Sequence, residues 1–230
     1  MILFQDYSEK QDTVPSKNLD AFKDIRAVES TSTEKQRDFW DGFFGKRDVY
    51  VPDQNTNYFP EIFGRNSDEF HFDFEMGQKI HESLERFNAD KWSNMVESEQ
   101  VETITKFSAA LSEKIGLLNL PTVTFFTGPK ESCGAYNSET NVININRALF
   151  DDPAEVVDTI AHEIWHAYQH QRALILENKH DYLYKLNFDN YISPTPLGDG
   201  KYLFFTDYQE QLVEAEARAF ANIFREEVAS

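Results

Sequence analysis

The stretch Asp152-Pro153-Ala154-Glu155-Val156-Val157-Asp158-Thr159-Ile160-Ala161-His162-Glu163-Ile164-Trp165-His166-Ala167-Tyr168-Gln169-His170 decides how this chain is read. Asp152 can accept as an N-cap, Pro153 suits the first helical position, and Glu155 stands where a capping box closes. The spacing predicts a helix with an apolar back face of Val157, Ile160, Ala161, Ile164 and Ala167. Its opposite side carries Asp158, His162, Glu163, His166 and His170. Histidines at i and i+4 lie one turn apart on the same face, so both imidazoles can reach one metal ion. Glu163 sits about 100° around the helix from His162, better placed for the ion's water than for the ion. Zinc lowers the pKa of its bound water towards about 7 and polarises a carbonyl. A glutamate beside it can accept the proton and pass it to a leaving amine.

A catalytic zinc needs a third protein ligand and an open position. A histidine six residues after His166 is one solution, but Arg172 stands there. His170 lies about 12 Å of rise from His162. It therefore reads as a residue near the substrate or behind the ligands, or as an exposed one. The other solution is a glutamate from a following helix. The segment Tyr208-Gln209-Glu210-Gln211-Leu212-Val213-Glu214-Ala215-Glu216-Ala217-Arg218-Ala219-Phe220-Ala221 offers Glu210, Glu214 and Glu216. Its small residues at 215, 217, 219 and 221 allow a close helix–helix approach. Helical phase alone favours Glu216, on the stripe of Leu212, Val213, Phe220 and Ile223, over Glu214 on the flank.

His-Glu-x-x-His followed by Glu-x-x-Ala-Arg resembles the gluzincin metallopeptidases. Glu214-x-Glu216-Ala217-x-x-Phe220-Ala221 is also similar to a segment of the ImmA/IrrE-like zincins. The resemblance spans about 98–227 and implies an α+β, zincin-like fold. In that fold a small mixed sheet with an edge strand packs on the His-Glu-x-x-His helix, beside a C-terminal glutamate helix. It implies His162, His166 and Glu214 as metal ligands, Glu216 as the reserve, Zn2+ as cofactor and Glu163 as general base. Arg218 stands where those families often carry Asp or Asn, and at i+4 it can pair with and orient Glu214. In zincins the edge strand binds an extended peptide, which would give Asn141–Asn146 that role and make the substrate a protein or peptide. An ordinary core strand is the other reading of those residues.

Outward from these motifs the chain divides into 1–97, an irregular N-terminal region, and 98–230, the zincin-like domain. Turn chemistry at Val14-Pro15-Ser16 and Pro52-Asp53-Gln54-Asn55, a polar run from Glu29 to Asp38 and aromatics at Phe39, Trp40, Phe43 and Phe44 suggest an extension pinned onto the core. A removable inhibitory segment is the alternative. Glu69 to Glu75 alternates strictly, as a half-buried strand with a Phe face does. His71, Asp73 and Glu75 then read as a solvated face rather than as ligands. Helices are expected at about 76–88 and 97–115. The second has Val101, Ile104, Ser108, Leu111 and Ile115 in a stripe and Gly116 as C-cap. Pro121–Phe126 reads as a buried strand, and Asn141–Asn146 as another after the turn at 137–140. Tyr136 belongs to the partner arm of a hairpin. Residues 173–205 read as loop-rich, broken at Ser193-Pro194-Thr195-Pro196-Leu197-Gly198. A last helix is expected over about 207–227, capped by Thr206 and Gln209.

Composition narrows the function classes. Of 230 residues, 22 are Lys or Arg and 40 Asp or Glu, a net charge of −18. That disfavours nucleic acid and anionic membranes as partners. Twenty Phe and a hydrophobic share of 40% supply a sizeable core, so the charge does not mean disorder. One cysteine, Cys133, excludes an intrachain disulfide framework. With no secretory signal or transmembrane run, a cytoplasmic location is expected. The leading expectation is a zinc-dependent metallopeptidase, a hydrolase. The alternatives are a catalytically inactive zincin-like binding or regulatory module, and an acidic interaction protein related to phage or toxin systems.

Overall fold

The computed structural model describes residues 48–198 and 201–229. The motifs expected at 14–16, 29–38 and 39–44 lie outside them. Within them the chain is mixed α+β. It begins with helix α1 (Phe59–Ile62), a 3-10 turn at Ser67–Glu69, α2 (Gly77–Leu84), α3 (Ala89–Ser93) and α4 (Glu97–Lys114). Strands β1 (Thr122–Phe126), β2 (Gly134–Asn137) and β3 (Val142–Asn146) follow, then the long helix α5 (Pro153–Ile175) and α6 (Lys179–Asp189). A hairpin of β4 (Thr195–Gly198) and β5 (Lys201–Leu203) leads to α7 (Phe205–Gln209) and α8 (Leu212–Ala229).

The three-stranded sheet has the order β1-β3-β2, with β1 and β3 parallel and β2 and β3 antiparallel. This decides between two readings and corrects one expectation. Asn141–Asn146 is the central strand, not the edge, and Pro121–Phe126 is a half-buried edge rather than a buried strand. The hairpin expected through Tyr136 is β2–β3, turned at 138–141 with Asn141 at φ 53°. The edge that meets α5 is β2. Gly134 permits this, since a Cβ there would lie 2.7 Å from Thr159 Cγ2 and 2.9 Å from the Asn144 carbonyl oxygen.

Helix α5 runs through the middle of the molecule, so its expected polar side is also covered. Val156 to Ala167 are all buried, because α8, α4, α6 and the sheet surround that stretch. Asp152 does cap it, accepting from the Glu155 N–H at 3.2 Å, with Pro153 in the first turn. The expected capping box stays open, because the Glu155 carboxylate turns to Arg225 at 3.0 Å. Helix α4 ends as its sequence indicates. Gly116 takes φ +79°, its N–H bonds to the Glu113 carbonyl, and the Leu117 N–H reaches that of Ser112.

Three further expectations are corrected. Glu69–Glu75 forms no ladder among the described residues, although its alternation is real. Phe72 packs on Trp165 and Phe220, and Phe74 on Phe220 and Phe224, while 71, 73 and 75 are exposed. The inward rings are held by helices, so no neighbouring strand is needed. Residues 173–205 hold helix α6, whose start is a capping box of Asn178 with Asp181, and the β4–β5 hairpin. The expected terminal helix is two helices, broken at Glu210–Gln211. Phe204, at φ 61° with no side-chain cap, precedes α7 in place of a Thr206–Gln209 box. The buried Gln211 amide accepts from the Ile192 N–H at 2.7 Å and donates to the Ile192 carbonyl at 2.9 Å, which pins the break to the preceding loop.

The main core joins Ile80, Leu84, Phe87 and Trp92 to Ile104, Phe107, Ile145, Ile160 and Phe220. A smaller cluster of Tyr58, Ile62, Leu183, Tyr184, Leu212 and Val213 seats α1 and α6 on α8. Among the described residues no helix is long and apolar enough to cross a membrane.

Candidate metal centre

Helices α5 and α8 pack along each other and bring His162, His166 and Glu214 together. The two histidine Nε2 atoms are 3.0 Å apart, with their rings at 85°. Glu214 Oε2 lies 3.5 Å from His162 Nε2, and Oε1 lies 3.3 Å from His166 Nε2. One ligand atom from each residue falls within 4.8 Å of the others, a group that could hold a metal ion. Two imidazoles and a carboxylate suit a borderline divalent cation. Glu214 Oε2 is buried without a hydrogen-bond partner, as an atom awaiting a cation would be. Arg218 approaches the same oxygen only to 3.9 Å, while its guanidinium also donates to the Gln209 carbonyl.

Electrostatics within the group follow from burial and proximity. Burial pushes the His162 imidazole down to about 4. Burial also opposes a charge on His166, but the Glu214 carboxylate outweighs it and lifts that imidazole to about 9. Glu214 is likewise resisted by burial, yet the two histidines hold it well below the usual carboxylate range. A cation entering here takes the place of a proton.

Glu163 stands beside the group, fully buried. Its Oε2 accepts from the Tyr136 N–H of β2 at 2.8 Å, and its Oε1 has no hydrogen-bond partner. Burial raises its carboxyl to about 8. One oxygen is thus tethered to the sheet edge and the other is available.

Glu216 stands apart from the group. Its Oε2 accepts from the Tyr184 hydroxyl at 2.6 Å, and its Oε1 lies 2.7 Å from His180 Nε2. Helical phase alone pointed to Glu216, and it misleads here because α8 is enclosed on both sides. Leu212 to Ala217 are all buried, so phase no longer tells an inner face from an outer one. His170 is half-buried and outside the group, stacked on Phe188 at 3.8 Å and tilted against Tyr136 at 5.8 Å. Burial, with the His166 charge, lowers it to about 3.

Sequence reasoning overlooked Tyr191 and Gln169. The Tyr191 hydroxyl donates to Glu214 Oε1 at 2.6 Å from a segment read only as loop. Gln169 Oε1 lies 2.9 Å from His166 Nδ1. Its signal was available, since position 169 sits three residues after His166 and faces the same way. Comparison with protein families, with curated proteins and with solved structures found no match for this chain.

Proposed function

We propose that this protein is a zinc-dependent metallopeptidase of zincin type, which hydrolyses a peptide bond in a protein or peptide. The supporting observation is the buried His162, His166 and Glu214 group with the unpartnered Glu163 Oε1 beside it. Those three residues would hold the ion. When bound, zinc supplies a Lewis acid that polarises the scissile carbonyl and acidifies water.

The chain's own groups account for the proton. The Tyr136 N–H fixes Glu163 through Oε2, leaving Oε1 to take a proton from the attacking water. The same oxygen, once protonated, can release that proton to the departing amine. The extended peptide would lie along β2, the edge strand beside Glu163, rather than along the central β3. The absence of nucleic-acid or membrane partners belongs to the same reading and rests on the net charge, and a cytoplasmic location is part of it.

The test measures metal and turnover separately. Wild-type protein after exhaustive dialysis is expected to retain about one zinc per chain, lost in Glu214→Ala and kept in Glu216→Gln. A peptide library incubated with zinc-loaded protein should be cleaved by wild type and at least about a hundredfold more slowly by Glu163→Gln. Cleavage unaffected by a chelator would end this proposal.

One observation favours a second reading. His162, Glu163 and Glu214 are at most 1% exposed, and Tyr191 lies across Glu214. A closed site of this kind suits a zincin-like module whose zinc is structural. That reading expects bound zinc with no cleavage of any peptide.

A further inference from the structure

Glu216 is a buried carboxylate that neither ligates nor touches the metal group, yet four donors converge on it. Its Oε2 accepts from the Tyr184 hydroxyl at 2.6 Å, the Gln169 amide at 3.3 Å and the Trp165 indole at 3.4 Å. His180 Nε2 meets Oε1 at 2.7 Å. Its lone pairs are spent in this way, and the donors come from α5 and α6 onto α8.

The Gln169 amide links this carboxylate to a metal-binding imidazole. Its Nε2 donates to two groups that can only accept, the Val213 carbonyl at 3.0 Å and Glu216 Oε2. The amide orientation is therefore decided, and Gln169 Oε1 must face His166 Nδ1 at 2.9 Å. An amide oxygen accepts only, so Nδ1 carries the hydrogen and the Nε2 lone pair is left for the ion. A flipped amide would offer N–H to Nδ1 and move the hydrogen to Nε2, which closes that ligand.

We propose that Glu216 is a positioning residue that acts through Gln169 to hold His166 with its Nδ1 protonated and its Nε2 open to a metal ion. Replacing Glu216 by an apolar residue leaves the Tyr184 hydroxyl and the Trp165 indole without an acceptor. A turned Gln169 oxygen would then satisfy them at the expense of His166 and of the Val213 carbonyl. Removing such an outer partner typically lowers metal affinity about 10–100-fold. The inference rests on His166 being a ligand, but the imidazole–amide bond can be observed without metal.

The experiment uses the full chain, labelled with 15N. Two readouts are taken: a slowly exchanging His166 Nδ1–H resonance in metal-free protein, and the Zn2+ dissociation constant by competition with a chromophoric chelator. Glu216→Leu is expected to lose the resonance and to weaken zinc binding about 10–100-fold. Glu216→Gln keeps an oxygen for Gln169 and should retain both, with His180 switching tautomer to accept the new N–H. Tyr184→Phe loosens α6 without removing that acceptor, and it should also retain both. A Glu216→Leu protein that keeps the resonance overturns the proposal, as does a Tyr184→Phe protein that loses it. Should Glu216→Leu fail to fold by circular dichroism, Gln169→Leu breaks the same path one link nearer. Tight zinc binding in that variant would equally overturn the proposal. Wild type that takes up no zinc but shows the resonance, lost in Glu216→Leu, would sink the metallopeptidase reading and leave the positioning role standing.

Discussion

Glu163 has one oxygen spent on a backbone N–H and the other free, and that asymmetry makes its role testable apart from its neighbours. In Glu163→Gln the amide oxygen can still accept from Tyr136, so fold and zinc content are expected to hold. Turnover should fall about 10²–10⁴-fold, the usual worth of a positioned general base. Loss of zinc together with turnover would refute the assigned role. Five residues earlier on the same helix, burial pushes the Asp158 carboxyl up from 3.8 to about 6 against the pull of Arg225. A carboxyl whose folded pKa is raised holds its proton more tightly in the native state. Native stability is therefore present at low pH and lost as pH rises from about 4 to about 6, by at most about 3 kcal/mol. Asp158→Asn should remove that slope and gain about 1–3 kcal/mol at pH 7 in urea unfolding. Equal pH profiles for the two proteins would dismiss the effect.

At the scale of elements, β2 is the piece on which the site depends. It gives Glu163 its tether, and it lies against α5 only because position 134 lacks a side chain. Gly134→Ala would drive a methyl into Thr159 and the Asn144 carbonyl. It should cost about 1–3 kcal/mol and loosen the Tyr136–Glu163 bond. Thermal unfolding measures the first, and amide exchange at Tyr136 the second. Unchanged exchange there would mean that the strand does not depend on this contact. Elements with local signals were legible in the sequence: α5 from its cap and proline, α4 from its stripe and Gly116, the β2–β3 hairpin from its turn. Helix α6 was missed because Tyr182, Leu183, Tyr184, Leu186 and Phe188 leave little contrast between its faces. The Asn178 and Asp181 box that starts it lay within a stretch read as loop.

Across the whole molecule, a metal ion would join α5 to α8, the two helices that share the longest contact. Binding to the native state alone adds about 2.7 kcal/mol of stability at one hundred times the dissociation constant. Zinc should therefore raise the unfolding midpoint of wild type, and a chelator should lower it again. Glu214→Ala should not respond, and a zinc-dependent midpoint in that variant would place the ion elsewhere. The same helices carry the aromatic centre. Phe220 packs edge-on or stacked against Phe72, Phe74, Trp165 and Phe224. Phe220→Ala should cost about 3–5 kcal/mol in urea unfolding, with no change in metal stoichiometry if the protein still folds.

The sequence by itself determined where α5 begins, that His162 and His166 share a face, and that Glu163 lies beside them. Helical geometry acts over four or five residues and needs no partner, so those facts are local. It also supplied the three glutamates from which a further ligand could come. Helical phase pointed to Glu216 and the motif resemblance to Glu214, and the tertiary structure sets Glu214 against the histidines and Glu216 against Tyr184 and His180. Phase separates an inside from an outside only when a helix has one buried face. The first half of α8 is wrapped on every side, so which carboxylate meets which partner depends on the neighbours that packing brings. The same holds for β2 and β3: each is a short half-apolar strand in sequence, and the hydrogen-bonding order of the sheet alone made β2 the edge.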